Sequence, residues 1–521
     1  MPTSLDYDIV PYEDCPLIQT RPDNLGIIAN LFGVPAVPPD RCRVLEFGCA
    51  SGGNIIPLAY YWPESEFTGI ELSEKQAETG NQLIRELQLS NIKILQKNIL
   101  QLDESIGQFD YIIAHGVYSW VPADVQDYMF KLIPKILAPK GIVFISYNTF
   151  PGWHFRMAVR DMMLYPSKAG TTTEKKRDNG IKMLSKLANG LPDNNSLSEK
   201  WLKKEAQTLL KLSPSYLLHD YLEENNSPEY FYQFMTRAKA CNLQFLSEAD
   251  MYTMLGSTLT EQAENDLDEI DDLIEYQQYM DFYYVRFFRQ TLLCHDDLEI
   301  DYDLDIEKIQ DFFFIAFLTC DDELDLDTVN SQKFMHPNGE TFDISHPLTK
   351  AAVIALSFEY PNACSWQQLV EHAQNILVEK NSSFHSASTD ELLQEMFSLF
   401  VSQGIELSRI DRKFSFNVSE TPRANLLAEV YARHKRCCVG SMHHGNITLD
   451  EIDHQLLLLL DGNRTKVQIQ HLLAEKIKTD TALQVALQQR GKNPEEILNT
   501  LGSKIEQSLY FFALGGLLEN G

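Results

Sequence analysis

Arg43-Val-Leu-Glu-Phe-Gly-Cys-Ala-Ser-Gly-Gly-Asn54 is the stretch that decides the architecture. Val44, Leu45 and Phe47 predict a buried strand. The glycines after them predict a tight turn, and Asn54-Ile-Ile-Pro-Leu-Ala59 opens a helix. Glycine lets the backbone come close to a ligand, and a helix N-terminus presents unpaired N–H groups. A second strand, Glu66-Phe-Thr-Gly-Ile-Glu71, ends in an acid placed to accept hydrogen bonds from a ribose, with Leu72 beside it.

Two cofactors fit such a unit, and the turn by itself does not separate them. Gly48-x-Ala50-x-x-Gly53 is a degenerate dinucleotide fingerprint, with an acid at about the expected distance of ~20 residues. Glu46-x-Gly48-x-Ala50-x-Gly52 is the acid-x-Gly-x-Gly-x-Gly pattern of the S-adenosylmethionine (SAM) cradle, with Ala at the middle Gly. The acid two residues before the first Gly favours SAM, because it meets the methionine ammonium. A dinucleotide has no such cation.

The chain of 521 residues has room for two to four domains. Its formal charge of −30 argues against a nucleic-acid backbone as the main partner, which needs a basic face. The nine cysteines are scattered, with Cys437 and Cys438 adjacent and no C-x-x-C. Neither a disulfide framework nor a zinc site is expected, no metal is called for, and a reducing cytoplasm is the expected location. The start shows no signal-peptide pattern, and no apolar run approaches the ~20 residues of a membrane span. Phe312–Leu318 reads as a core strand.

Residues 1–22 read as irregular, followed by a helix near 24–32. Strands are predicted at 43–47, 66–71, 92–96, 109–114 and 141–147. Helices are predicted between them, one N-capped by Ser73. Apolar strands alternating with helices describe a parallel sheet covered on both faces. Ligands of such sheets bind beyond the C-terminal strand ends. Those ends are the turn at 48–53, Glu71, Asn98, the loop 115–120 and the stretch 147–154. A helical part follows from Phe155 to Ala240, then strands at 243–246 and 288–294 around one acidic helix at 261–284. The reading is a core over 1–154, a helical lid over 155–240, closing strands over 241–296 and a regulatory domain over 297–521. Helices near 450–460 and 466–476 give that last domain a winged-helix-like end. Its few lysines favour interaction or regulation over DNA binding.

Residues 41–154 resemble the class I SAM-dependent methyltransferases. His115-Gly-Val-Tyr-Ser-Trp-Val-Pro122, Ser146-Tyr-Asn-Thr-Phe-Pro-Gly-Trp-His154, His219-Asp-Tyr-Leu222, Gln278-Tyr-Met-Asp-Phe282 and Phe288-Arg-Gln-Thr-Leu-Leu-Cys-His295 resemble the bacterial subfamily with a methyltransferase regulatory domain. Rickettsial-type protein-lysine methyltransferases acting on an outer-membrane protein are its best-understood members. The resemblance implies a Rossmann-like seven-stranded α/β sheet with a helical insertion, and SAM as methyl donor. By position it gives the methionine end and the turn to Glu46, Gly48, Ala50, Gly52 and Asn54. It gives the ribose to Glu71 with Leu72, adenine to Asn98 and Ile99, and the sulfonium flank to His115. Ala50 and Asn98 depart from the usual Gly and Asp.

The implied acceptor is a protein lysine, on a basic or outer-membrane protein. A small-molecule acceptor and a non-catalytic SAM-binding module are the alternatives, and a homodimer is left open. A lysine amine, with a pKa near ~10.4, must lose a proton before attack, and an apolar channel favours that loss. Tyr118, Trp120, Tyr147, Phe150 and Trp153 are expected to wall the channel. Tyr147 or Asn148 orients the nitrogen, and His154 or Tyr221 accepts the proton. His443 and His444 are expected at the surface. Nucleic-acid amino methylation is disfavoured, because the Asn/Asp-Pro-Pro-aromatic tetrad it needs is replaced by His115-Gly-Val-Tyr118.

Overall fold

The computed structural model describes residues 14–167, 171–192, 196–223, 225–254, 259–411, 413–414 and 418–519. The irregular start expected at 1–22 therefore lies outside the described residues as far as residue 13. After α1 (Pro22–Leu31) the chain runs β1 (Arg43–Phe47), α2 (Ile55–Tyr61), β2 (Glu66–Glu71), α3 (Glu74–Glu86), β3 (Ile92–Gln96), β4 (Phe109–Ala114), α4 (Ala123–Ile136) and β5 (Leu137–Asn148). Four insertion helices follow: α5 (Gly152–Leu164), α6 (Thr173–Gly190), α7 (Leu197–Leu209) and α8 (Pro214–Tyr221). Then come α9 (Phe231–Lys239), β6 (Leu243–Glu248), α10 (Glu261–Asp268), α11 (Leu273–Tyr284) and β7 (Phe288–His295).

The strands form one seven-stranded sheet in the order β3-β2-β1-β4-β5-β7-β6. Neighbours are parallel except that β7 runs antiparallel to β5 and β6. This is the sheet expected from the sequence. Val44, Leu45 and Phe47 are wholly buried, as a central strand covered on both faces requires. Asp110 accepts from the Arg43 backbone N–H at 2.8 Å and from its guanidinium, which pins β1 against β4. Ser73 caps α3 by accepting from the Gln76 N–H. The acidic segment forms two helices, α10 and α11, where one was expected.

The sheet's two faces carry different cores. On one, Leu45, Ile112 and Phe245 pack under α4 and α9. The expected lid therefore ends earlier than residue 240, because Phe231, Phe234 and Ala238 of α9 belong to the sheet layer. The insertion has its own small core around Val159, Leu184, Leu209 and Leu218. On the other face an apolar core under α1–α3 continues through Phe314, Leu356, Leu427 and Ile469 to Leu517. The C-terminal half is thus packed on the sheet and not strung beside it.

That half contains β8 (Phe313–Ile315), the hairpin β9 (Gln332–Met335) and β10 (Thr341–Ile344), α12 (Pro347–Glu359), β11 (Cys364–Ser365), α13 (Trp366–Glu379), α14 (Asp390–Val401) and β12 (Glu406–Ser408). Strands β11, β8 and β12 form a small antiparallel sheet. The last part is α15 (Leu426–Arg433), the hairpin β13 (Cys438–Gly440) and β14 (Asn446–Thr448), then α16 (Glu451–Leu457), α17 (Lys466–Thr479), α18 (Thr481–Gln489) and α19 (Pro494–Leu514). Among the described residues no helix is long and apolar enough to cross a membrane.

One buried ionic knot holds the closing strands. The Arg289 side chain has no exposed surface. It donates to Asp281 at 2.8 Å and to Glu248 at 2.7 Å, and lies 3.8 Å over the Phe231 ring. One guanidinium therefore joins α11, β6, β7 and α9 just below the strand ends.

Candidate functional site

The turn after β1 takes left-handed backbone at Gly48, Ala50 and Gly52, with φ of 64°, 49° and 81°. An L residue pays for that conformation, so the small Ala50 is tolerable where a branched side chain is not. Glu71 sets the turn: one carboxylate oxygen accepts from the Ala50 N–H at 2.9 Å and the other from the Ser73 N–H at 2.7 Å. Burial raises the Glu71 carboxyl, and those backbone bonds partly counter it.

Glu46 stands at the end of β1, 4 % exposed. One oxygen accepts from Asn54 Nδ2 at 2.9 Å, while the other is buried with no partner among the described residues. Burial pushes this carboxyl up to about 8. A buried acid with an unused oxygen is a site waiting for a cation, and the ammonium of SAM supplies one.

Asp14 argues against the dinucleotide. Its carboxylate accepts from the Gly53 N–H at 2.6 Å and from Ser51 Oγ at 3.0 Å. A pyrophosphate needs those donors and would meet an anion already on them. The residues present thus fit SAM. Leu72, 45 % exposed, forms an apolar rim next to Glu71. Ile99 is buried, and Asn98 uses its side-chain oxygen on the Leu100 N–H at 2.9 Å, which leaves its amide N–H₂ free to turn to a ring. His115 has partly exposed surface, yet its Nδ1 is buried without a partner among the described residues, and burial pushes the imidazole down to about 4. It is therefore neutral at physiological pH and adds no like charge beside a sulfonium.

If Glu46 is neutral before binding and ionised against the ammonium afterwards, binding releases a proton. Calorimetry of S-adenosylhomocysteine binding at pH 7 in buffers of different ionisation enthalpy is expected to give close to one proton released per site. Glu46→Gln should remove that release and weaken binding. Release unchanged in the variant would assign the proton elsewhere.

The acceptor face is built differently from the aromatic channel expected. Tyr147 is buried, its hydroxyl on Thr291 Oγ1 at 3.2 Å and its ring stacked on Phe234 at 4.1 Å. Tyr118 is buried too and donates to Glu229 at 2.5 Å, while Arg237 donates to the Tyr118 oxygen at 2.6 Å. Both belong to the core under α4 and α9, so their expected role as channel walls is corrected. Tyr221 is likewise packed in the insertion core. Asn148 lies at the end of β5. Its backbone N–H donates to Ser119 Oγ at 2.9 Å and its Nδ2 to Asn226 at 3.1 Å. His154 is exposed, stacked on Phe150 at 4.0 Å, with Nε2 3.2 Å from the Tyr230 hydroxyl. Trp120 and Trp153 meet edge to face at 6.2 Å.

Several residues of the site come from far along the chain. His443 and His444 are 5 % and 2 % exposed, against the expected surface position, and His444 donates through Nε2 to Asn54 Oδ1 at 2.8 Å. Burial pushes its imidazole down to about 3, which keeps it neutral. The Leu17 N–H donates to the same oxygen at 3.0 Å. Arg436 pairs with Asp14 and donates to Ser51 Oγ at 2.8 Å. Glu229, Arg237 and Asn226 also went unread. A cavity of about 1100 Å³ lies beyond this seam and includes none of the cradle residues. Its walls include Leu17, His444, Tyr360, Glu406 and Tyr510.

Comparison with known proteins places this geometry. A model described as a methyltransferase domain matches residues 39–210. One described as a predicted methyltransferase regulatory domain matches 213–295, which is α8 to β7 and lies upstream of the 297–521 stretch first given that role. A third, the PKMT C-terminal winged helix domain, matches 420–517. The uncharacterized protein RP789 of Rickettsia prowazekii (strain Madrid E) is 34 % identical over 520 residues, covering 98 % of this chain and 93 % of that one. The solved structure of PKMT2 from Rickettsia typhi is 28 % identical with a TM-score of 0.84, covering 98 % of this chain and all of that one. Its complex with AdoHcy matches at 27 % identity and the same TM-score.

Proposed function

Because the chain belongs to the class I SAM-dependent methyltransferases that carry a regulatory domain and a PKMT winged-helix domain, we propose that it methylates the amine of a lysine side chain in a protein. The observation that carries this reading is an aromatic rim open to solvent at the strand ends. Phe288, Phe287, Tyr232, Tyr279 and Phe282 are all exposed large apolar residues. Phe288 meets the His115 ring edge to face at 6.2 Å, and Tyr230 links Phe150 to Phe282 at 5.3 and 6.0 Å. Such a rim suits a long aliphatic arm ending in a cation, through its stem and its charge alike. The exposed acids of α10 and of the link to α11, Glu261 to Asp272, adjoin it in the chain and favour a basic polypeptide. The name PKMT2 and the AdoHcy complex of the Rickettsia typhi relative are in keeping with this acceptor and donor.

SAM bound in the cradle supplies a methyl group already activated on a sulfonium. Glu46 would hold its ammonium, Glu71 with Leu72 beside it the ribose, and Asn98 and Ile99 the adenine. Neutral His115 flanks the reacting end. The chain's work at the acceptor is alignment and exclusion of water. Asn148, fixed by Ser119 and Asn226, orients the amine through its side-chain oxygen. His154 takes the departing proton through water.

The test is transfer from methyl-labelled SAM into a cell extract by the full chain. Label is expected in the protein fraction, recovered as methyl-lysine after hydrolysis. Label confined to small molecules would overturn the lysine acceptor and leave a methyltransferase of the same fold.

A further inference from the structure

We propose that Cys15, Cys437 and Cys438 form a thiol–disulfide exchange site that locks the N-terminal strap over the cofactor turn. The inference rests on the SAM reading of that turn, but its chemistry can be read without it. The structure joins Cys15 and Cys438 in a disulfide spanning 423 residues of chain, against the expectation of no such bond. Spacing along the sequence gave no hint of it, because the partners meet only once the C-terminal hairpin has packed on the sheet. Cys437 brings a third sulfur to within 3.9 Å of Cys15 Sγ and 4.0 Å of Cys438 Sγ. Cys15 and Cys437 are partly exposed, while Cys438 is buried.

What the bond holds gives the site its meaning. Residues 14–20 lie across the turn 51–54. Asp14 occupies the Gly53 N–H and Ser51, and the Leu17 N–H and Thr20 Oγ1 both donate to Asn54, which in turn holds Glu46. On its other side the strap is held by β13 and the two residues before it. Arg436 pairs with Asp14, and Cys438 Sγ lies 3.7 Å from the Asp14 carbonyl. Asp14 and Arg436 are charged groups beside the sulfurs, Asp14 through its carbonyl at Cys438 Sγ and Arg436 as the chain neighbour of Cys437. The disulfide fastens the strap and the β13 side to each other, directly over the support of Glu46.

The chemistry balances with a low-molecular-weight disulfide as oxidant. The Cys15 and Cys438 thiols and one small disulfide give the protein disulfide and two small thiols, with the protons passing to the latter. From there the Cys437 thiolate attacks Cys15 Sγ. A Cys15–Cys437 bond forms, the Cys15–Cys438 bond breaks, and Cys438 leaves as thiolate and takes a proton, with no net oxidation. Three sulfurs within reach of one another let the strap stay tied while the bond migrates.

The full chain, incubated with glutathione disulfide or with dithiothreitol, gives the test by peptide mapping and by the dissociation rate of bound S-adenosylhomocysteine. Expected are Cys15–Cys438 and Cys15–Cys437 linked peptides in the oxidised protein, and release slower by roughly tenfold than in the reduced form, as when a covalent tie removes the freedom of a covering segment. Cys15→Ser should erase the redox difference, whereas Cys437→Ser should keep it and lose the second linkage. Cys15 recovered only as a mixed disulfide with glutathione would overturn the exchange site. So would a reduced protein that holds one zinc ion through dialysis and resists oxidation, which would make the three sulfurs a metal site. Linked peptides with equal release rates would overturn the lock, and failure to bind S-adenosylhomocysteine in either form would instead count against the cofactor reading.

Discussion

Glu71→Ala is expected to weaken SAM binding by about 100-fold or more, well beyond the loss of a ribose contact alone. The carboxylate has two tasks here. It would receive the ribose, and it already fixes the turn through the Ala50 and Ser73 N–H groups. A hydrogen bond to a charged group contributes about 1.5–3 kcal/mol, and the variant leaves two backbone donors in a buried place without an acceptor. Two ribose hydroxyls would each give the carboxylate such a bond, and those two losses together exceed the ~2.7 kcal/mol that a hundredfold change requires, while a disordered turn adds to the loss. Calorimetry would measure it, with circular dichroism to show that the sheet persists. Glu71→Gln keeps an oxygen for one donor and should fall between. Near-normal affinity in the alanine variant would mean that the ribose does not lie there.

The second large effect is on stability. Arg289→Met is expected to destabilise the protein by about 3–5 kcal/mol, because it leaves buried Glu248 without its cation and Asp281 with Arg286 alone. Asp281 and Glu248 lose their guanidinium, and burial already raises the Asp281 carboxyl even with it present. Urea unfolding would report the loss as a lower midpoint. The double variant Arg289→Met, Glu248→Gln removes the stranded carboxylate, keeps the Arg286–Asp281 pair and should recover much of it. The sign with pH follows. A buried carboxylate that has lost its cation is less costly when protonated, so the variant's deficit should shrink as pH falls towards the ordinary carboxylate range. A deficit that does not change with pH would point to lost packing on Phe231 in place of stranded charge.

Legibility in the sequence tracked the distance over which residues cooperate. The sheet was readable because each strand carries its burial in its own composition, as in Val44-Leu45 or Ile112-Ile113. The turn after β1 was readable because Glu46, the glycines and Glu71 lie within one strand-turn-helix-strand unit. Tyr147 and Tyr118 were misread because a strand end and the loop beyond it do not say on which side of the sheet a ring falls. The answer came from Phe234, on a helix that returns after the whole insertion. His444 was misread for a related reason. A pair of histidines before a glycine looks solvated until the turn that buries it is known, and that turn is 390 residues away. The disulfide and Arg436 belong to the same class.

The contacts of His444 and Arg436 also bear on when the enzyme becomes competent. The cofactor turn is made early in synthesis, but two of its supports are among the later residues to leave the ribosome. A nascent chain therefore carries Asn54 without His444 and Asp14 without Arg436, and has no thiol partner for Cys15. The turn thus gains its full set of supports only once the segment carrying Arg436 and His444 has been made and has packed on the sheet.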